Sequence, residues 1–541
     1  MAKPRFVIEN GILKGEEKIF DIGDANLGEK ILQRLKSKPD FVGQVDAVTG
    51  EECTYGKMED ESVRCSLWFR KEGMKPGDAV CLFTHNHLAS YIPCLATFYN
   101  RAILCPSFSG HSLENLKYIL ELIKPKFVFA DEREAILIDQ ISREENLEIK
   151  IVVFNEIPGF QSLREILREQ DLNQVSNFVC TKPKNPEDDC LLVFTSGSSG
   201  EPKPTLHSYK AVMETVMISL EVKKKGNLVT INYSPMGWIC GIINMIIDLM
   251  NFVKKIIVHE KGHQPEEVLT FIEKYKVTSL TLELRMIYRF YVFDKLQNYD
   301  TSSIKSLSLG GTKLKPEIMK CLKLMVPNGY LQLVYGSTEL QMLSLISKAN
   351  DDNFESCGFI FPNVQLKVVH PRTGKILEPN KKGELCFKSP YMMKGYYKNP
   401  EATKTVFDEE GWYHSGDFGY FDENGNGYIL GRISSLSSIS DETNLTHWEV
   451  ERILFLNSDV VEVSSIFIPE DSTNPSIFVF VTLIPASKVT DEELTEMLKC
   501  LMMKKVEITV KILNSMPLTY NGKVKLDILK KMSESIKFND Q

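Results

Sequence analysis

Along the first two thirds of the chain, apolar and polar positions recur in one order: a helical run, a stop, then a short apolar strand. Ser112 is placed to cap a helix whose apolar positions are Leu113, Leu116, Ile119, Leu120 and Ile123; Pro125 ends it, and Phe127 to Ala130 follows as a strand. The order repeats from Pro265 to Lys276 with a strand after Val277, and from Pro316 to Met325 with a strand from Tyr330 to Tyr335. Such alternation predicts βα units on mostly parallel sheets, an α/β fold. No fixed-period repeat underlies it. The most membrane-like stretch, Trp238 to Val253, carries Asn244, Asp248 and Asn251 at i, i+4 and i+7, one polar stripe on an otherwise apolar cylinder. That spacing predicts a buried amphipathic helix rather than a membrane span.

Beyond Arg432 the pattern breaks. Residues 433–440 read ISSLSSIS, five serines in eight, which predicts a linker. Strand-like runs follow at Val460 to Ile468 and Ser476 to Ile484, then a helix opened by Thr490 with Glu493 three residues on, a capping box. For 541 residues, the expected organisation is a large domain over 1–430, a hinge and Ser-rich linker over 431–444, and a small mobile α+β domain over 445–541.

Composition narrows the partners. With 43% hydrophobic and 25% charged residues the chain is ordinary globular protein, and its net charge of −8 with no basic cluster argues against a nucleic-acid ligand. Twelve scattered cysteines without a CxxC pair point to free thiols in a reducing compartment. The close pairs His85/His87 and His259/His263 have no neighbouring cysteines, so a structural zinc site is not expected. With too short an apolar run at the start for a signal peptide and no S-K-L type end, the expectation is cytoplasmic. Oligomeric state leaves no mark in the sequence.

One segment carries chemistry by itself. The apolar run Leu191 to Phe194 leads directly into Thr195-Ser196-Gly197-Ser198-Ser199-Gly200-Glu201-Pro202-Lys203. Gly197 and Gly200 permit the positive φ that turns successive N–H groups toward one point, the hydroxyls add donors, and Lys203 adds a cation: a loop suited to a triphosphate tail. It does not match the Gly-x4-Gly-Lys-Ser/Thr loop.

This loop resembles the signature of the adenylate-forming superfamily, which includes acyl- and aryl-CoA synthetases, firefly luciferase and peptide-synthetase adenylation domains. Further landmarks follow in order: Leu309-Gly-Gly-Thr-Lys-Leu314, Tyr335-Gly-Ser-Thr-Glu339, Gly383-Glu-Leu385 with Gly395-Tyr396, Trp412-Tyr-His-Ser-Gly-Asp417, Arg432, and Pro517-Leu-Thr-Tyr-Asn-Gly-Lys523. The amino-terminal stretch from Thr54-Tyr55 through Gly77-Asp78 to Phe129-Ala-Asp131 is also similar, so the likeness spans nearly the whole chain. The luciferase-like and 4-coumarate-type CoA ligases are nearest in character.

The resemblance implies a two-step reaction. A carboxylate attacks the α-phosphorus of ATP to give an acyl-adenylate and pyrophosphate, and a thiol, usually CoA, then displaces AMP. It assigns Glu339 to Mg2+, Thr338 to the α-phosphate, and Tyr335 with Gly310 and Gly311 to adenine, with Thr312, Gly336 and Ser337 in the same stretches. Asp417 would take the ribose hydroxyls, Arg432 a second nucleotide contact, and Lys523 the attacking carboxylate and ATP. Met236, Gly237 and Trp238 would wall a pocket for a hydrophobic acid, and His414 is structural.

The match breaks in places. Pro204 replaces the usual Gly after the loop Lys, Tyr209 a common His, and Gly431 the Asp before the hinge Arg. The serine run and Asp441-Glu-Thr-Asn444 replace a Lys-Gly hairpin that helps line the thiol tunnel. The leading expectation is a CoA ligase for a fatty or aryl acid using ATP, Mg2+ and CoA. The alternatives are a luciferase-like adenylate former without efficient CoA ligation and a degenerate nucleotide- or acyl-binding relative.

Overall fold

The computed structural model describes residues 6–195, 202–222, 228–258, 264–282, 284–310, 314, 316–347, 355–433, 436–437, 445–457, 459–468, 476–485, 487–502, 507–517 and 524–539. Where the sequence alternates, the predicted elements form. Ser112 Oγ accepts from the Asn115 N–H at the head of the helix Leu113–Ile123, and Lys124 closes it in the left-handed region. The strand Phe127–Ala130 follows, fully buried, and the helix Pro265–Tyr275 and strand Tyr330–Tyr335 repeat the unit.

Two large sheets result among the described residues. In the eight-stranded sheet, Asp189–Phe194, Ile103–Ser107, Ala79–Phe83, Phe127–Ala130, Lys150–Val153 and Gln161–Ser162 run parallel, and Pro204–Ser208 and Gly395–Tyr396 extend it antiparallel at one edge. The fifteen-stranded sheet is parallel from Val42–Asp46 to Tyr330–Tyr335. Past Tyr335 the same sheet continues antiparallel through Leu345–Ile346, Gly358–Ile360, Asn426–Arg432, Tyr413–Phe421, Gly383–Lys388 and Gln365–Val369. The change has a sequence cause: among the described residues between 345 and 432 the one helix is the seven-residue Pro400–Val406, too short for a parallel crossover, so short connections return each strand beside its neighbour.

Helices cover the sheets over several apolar clusters, the first of which spans Ala25 to Met250. At its centre Trp68 is 1% exposed, with its ring 5.4 Å from Phe127 and 6.2 Å from Phe129, and Phe69 packs against the same two phenylalanines. The helix Ile239–Met250 is buried as its stripe predicts. Asp248, 6% exposed, faces the buried Lys255, whose ammonium is disfavoured by burial and supported by that carboxylate. Among the described residues, no helix is long and apolar enough to cross a membrane.

The region read as a linker holds more order than a serine run suggests. Gly431 and Arg432 belong to the strand Asn426–Arg432, and Leu436–Ser437 pairs antiparallel with Leu445–Thr446. Beyond it, Val460–Ile468, Ser476–Leu483 and Ile508–Ile512 form a three-stranded sheet under the helices His447–Leu454 and Asp491–Met502, with a separate core around Val450, Leu454, Val479 and Leu498. The Thr490–Glu493 capping box is present in both directions. The twelve cysteines are all free thiols.

Removing the central ring tests the packing. Trp68→Ala is expected to cost about 3 to 5 kcal/mol, read as a fall in the urea midpoint of the large region by tryptophan fluorescence.

Candidate active site

The site assembles where loops leave the carboxyl ends of strands, the usual ligand position of open α/β sheets. At the phosphate loop, the Thr195 N–H donates to the Lys203 carbonyl at 2.9 Å and the Lys203 N–H to Thr195 Oγ1 at 3.3 Å, closing the neck of the loop. Ser196, Gly197, Ser198, Ser199 and Gly200 lie outside the described residues. Pro204 is accommodated as the first residue of its strand, and its carbonyl accepts from the Tyr397 N–H. Tyr209 is a buried anchor: its hydroxyl donates to the Ala102 carbonyl, and the Arg101 guanidinium lies 4.0 Å over its ring.

The second element is the turn after Tyr330–Tyr335. The Tyr335 hydroxyl donates to Asp417 Oδ2 at 2.5 Å, and Arg432 Nε lies 3.1 Å from Asp417 Oδ1. Asp417 and Arg432 are direct cross-strand partners in the antiparallel ladder, which sets the pair by register. Burial and the neighbouring Asp417 push the Tyr335 phenol well above its ordinary value. Burial opposes the charge of Arg432, yet Asp417, Tyr335, Tyr413 and Glu339 around it hold its guanidinium above the usual value. Gly336 is required here, because a Cβ on it would sit 2.2 Å from the Met342 carbonyl oxygen.

Thr338 and Glu339 open the short turn Thr338–Leu340. Glu339 is 8% exposed, and its Oε1 accepts from the Tyr396 hydroxyl at 2.8 Å. The Lys203 ammonium lies 5.5 Å from the Tyr396 ring centroid, so Tyr396 links the phosphate-loop cation to the carboxylate. Gly310 ends its strand beside Val334, while Gly311, Thr312 and Lys523 lie outside the described residues.

Met236, Gly237 and Trp238 form the turn before Ile239–Met250. The Met236 N–H donates to Asn86 Oδ1 at 3.2 Å, Asn86 Nδ2 donates to the Ser234 carbonyl, and Gly237 lies close against Phe108 and Ser107. Thus Lys203, Tyr335, Glu339, Asp417 and Arg432 share one neighbourhood, while the 236–238 turn contacts Asn86, Ser107 and Phe108. Sequence reasoning noted Tyr396 without giving it a role and missed Asn86. The tyrosine's signal was its place in Gly395-Tyr396; the asparagine had none.

His414 lies in a polar cluster: its Nδ1 donates to Glu384 Oε2 at 2.8 Å, and Asp408 lies 3.7 Å from its Nε2. Glu384, Cys386 and His414 bring their ligand atoms within 4.8 Å of one another. The direct His414–Glu384 hydrogen bond, the Lys367–Asp408 pair at 2.9 Å and burial that disfavours the Cys386 thiolate satisfy this group without a cation.

A scan for known families then matches the model of the AMP-binding enzyme over residues 31–397. The chain belongs to the AMP-binding enzyme family. It is 26% identical to a luciferin 4-monooxygenase of Photuris pensylvanica over 98% of this chain and 99% of that protein. It is also 26% identical to the 4-coumarate–CoA ligase-like 1 of Arabidopsis thaliana over 93% of each. Among solved structures, a luciferase-like enzyme from the nonluminescent mealworm Zophobas morio aligns at TM-score 0.72 and 29% identity over 78% of this chain and 99% of that one. ATP-bound MatB from Rhodopseudomonas palustris aligns at TM-score 0.83 and 20% identity over 95% and 100%, a likeness of fold. Within the AMP-binding family the chain is an adenylate-forming enzyme.

His414 makes a pH test possible. Its hydrogen bond to Glu384, with Asp408 nearby and against burial and Lys367, raises its pKa above the ordinary 6.5. A raised folded-state value gives stability that is full below the unfolded pKa and is lost as pH rises through the folded one. His414→Gln is therefore expected to lower the urea midpoint more in mildly acidic than in alkaline buffer.

Proposed function

We propose that this AMP-binding family member activates a hydrophobic carboxylic acid, fatty or aryl, with ATP to an acyl-adenylate and transfers the acyl group to CoA, releasing AMP and pyrophosphate. The observation that carries the reading is the joining of two contact sets, Tyr335–Asp417–Arg432 and Lys203–Tyr396–Glu339, through the field of Arg432. One set suits a nucleoside and the other a polyphosphate. The large region through residue 430 would carry both, and the unit from 445 on would close over them about the hinge at 431–444.

Asp417 already accepts from Tyr335 and Arg432, one on each oxygen. The ribose hydroxyls would donate to this same carboxylate, beside the partners it already holds. The Thr338 hydroxyl would donate to the α-phosphate, and Thr195, Lys203 and the intervening loop would hold the β- and γ-phosphates. Glu339, a hard oxygen donor at 8% exposure, fits Mg2+, which supplies charge neutralisation for the leaving pyrophosphate. Lys523 would stabilise charge developing between the attacking carboxylate and the α-phosphorus. The apolar neighbourhood of Met236 to Ile243 favours a hydrophobic acid over acetate.

A second reading, adenylate formation without efficient CoA ligation, is favoured by one feature. The ribbon of Leu436–Ser437 with Leu445–Thr446 keeps a hairpin at the hinge, but its sequence carries serines and Asp441-Glu442 where the family places lysine and glycine. That exchange alters the charge offered to the thiol while leaving the adenylation contacts in place.

Two experiments separate the readings. A panel of fatty and aryl acids with saturating ATP and Mg2+ is expected to release pyrophosphate, with CoA thioester as the product when CoA is added; adenylate without thioester selects the second reading, and no pyrophosphate from any acid rejects both. Lys523→Ala is expected to abolish adenylate formation while ATP binding, measured by calorimetry, stays within about threefold. Equal loss of binding and turnover would show that this lysine has another task.

A further inference from the structure

We infer that Tyr396 is a positioning residue of the adenylation site: its ring keeps the Lys203 ammonium and the Glu339 carboxylate apart, so that one stays available to phosphate and the other to the metal. The inference rests on the roles proposed above for Lys203 and Glu339 and adds the residue that makes them compatible. The Lys203 ammonium lies over the Tyr396 ring, 5.5 Å from its centroid, while the Tyr396 hydroxyl donates to Glu339 Oε1 at 2.8 Å. Among the described residues neither Lys203 nor Glu339 is in an ion pair.

Opposite charges on one ring attract strongly where water is largely excluded, and Glu339 is only 8% exposed. A direct pair would occupy the cation and the carboxylate with each other. The ring gives each a neutral partner instead: a π face for the ammonium and a single hydroxyl for one carboxylate oxygen. Glu339 Oε2 keeps no hydrogen bond among the described residues, which leaves a hard oxygen for a divalent cation.

The backbone ties this ring to both sheets. Gly395 and Tyr396 pair with Leu206 and Thr205 of the strand that leaves the phosphate loop, and the Lys394 and Tyr397 N–H groups donate to the Leu206 and Pro204 carbonyls. On the other side the Met393 N–H donates to the Glu339 carbonyl at 2.8 Å. The Tyr396 N–H donates to Thr403 Oγ1 at 2.9 Å, and a Cβ on Gly395 would meet the Thr403 side chain at 2.8 Å. Residues 393–397 are therefore fixed at one end to Pro204, next to Lys203, and at the other to Glu339, with the Tyr396 side chain repeating that link.

The test uses the full-length protein. ATP binding is followed by calorimetry in EDTA, and turnover as pyrophosphate release with an acid that the wild type accepts. Tyr396→Phe keeps the ring and removes the hydroxyl. It is expected to bind metal-free ATP within about threefold of wild type, while the free Mg2+ needed for half-maximal turnover rises about tenfold or more. Tyr396→Leu removes the spacer and lets Lys203 pair with Glu339. Metal-free ATP is then expected to bind about tenfold more weakly, and adding Glu339→Gln to the same chain is expected to restore the affinity. A role in packing alone would not be rescued by that second change. Should Tyr396→Leu fail to fold, Tyr396→Met takes its place. An unchanged Mg2+ requirement in Tyr396→Phe would overturn the role of Tyr396 and leave adenylation intact. So would unchanged metal-free ATP binding in Tyr396→Leu, or a loss that Glu339→Gln does not restore. Wild-type protein that turns over no acid, or that needs no Mg2+, would overturn the reading of Glu339 and this inference with it.

Discussion

A carboxylate buried to 8% exposure must be held by partners, and the rest of the site follows from how Asp417 is held. Its two oxygens are taken by a phenol from the last parallel strand and a guanidinium from the neighbouring antiparallel strand. Each partner has a further anchor: Tyr335 ends its strand, and Arg432 also donates to the Ser415 carbonyl at 3.0 Å. The three residues therefore tie the last parallel strand to two antiparallel strands further along the same sheet. The Asp417 carboxylate is thus oriented by its own chain.

The second sheet contributes its part of the candidate site by a different device. Thr195 and Lys203 close their loop by reciprocal hydrogen bonds, and the returning strand then pairs with Gly395–Tyr396. That pairing brings the Tyr396 hydroxyl to Glu339, a residue of the other sheet. The two sheets are thus joined at the site by single polar contacts rather than by a continuous ladder. Such contacts hold groups in register for charge-assisted binding while leaving loops between them.

At the hinge, backbone geometry and side-chain chemistry part ways. Gly431 adopts φ 152°, which a side chain rarely takes, and a Cβ there would meet nothing within 4 Å, so backbone conformation and not crowding accounts for glycine at this position. A short hairpin follows in spite of the serine run. Arg432 ends the strand Asn426–Arg432 and pairs with Asp417, so the segment that leads into this hairpin is tied to the large sheet by an ion pair.

What the sequence determined by itself is local. Ser112, the Thr490–Glu493 box, the helix ends and the strands Phe127–Ala130 and Val460–Ile468 follow from periodicity and capping, which act over a few residues and hold before any tertiary contact forms. The order of motifs also revealed the family. Tertiary structure alone decided which distant groups touch: the Asp417–Arg432 register, Tyr396 on Glu339 and Asn86 on Met236 150 residues away. It also turned Gln341, in sequence an ordinary polar residue of a turn, into a fully buried amide, because burial is a property of what the whole chain places around a side chain and not of the side chain.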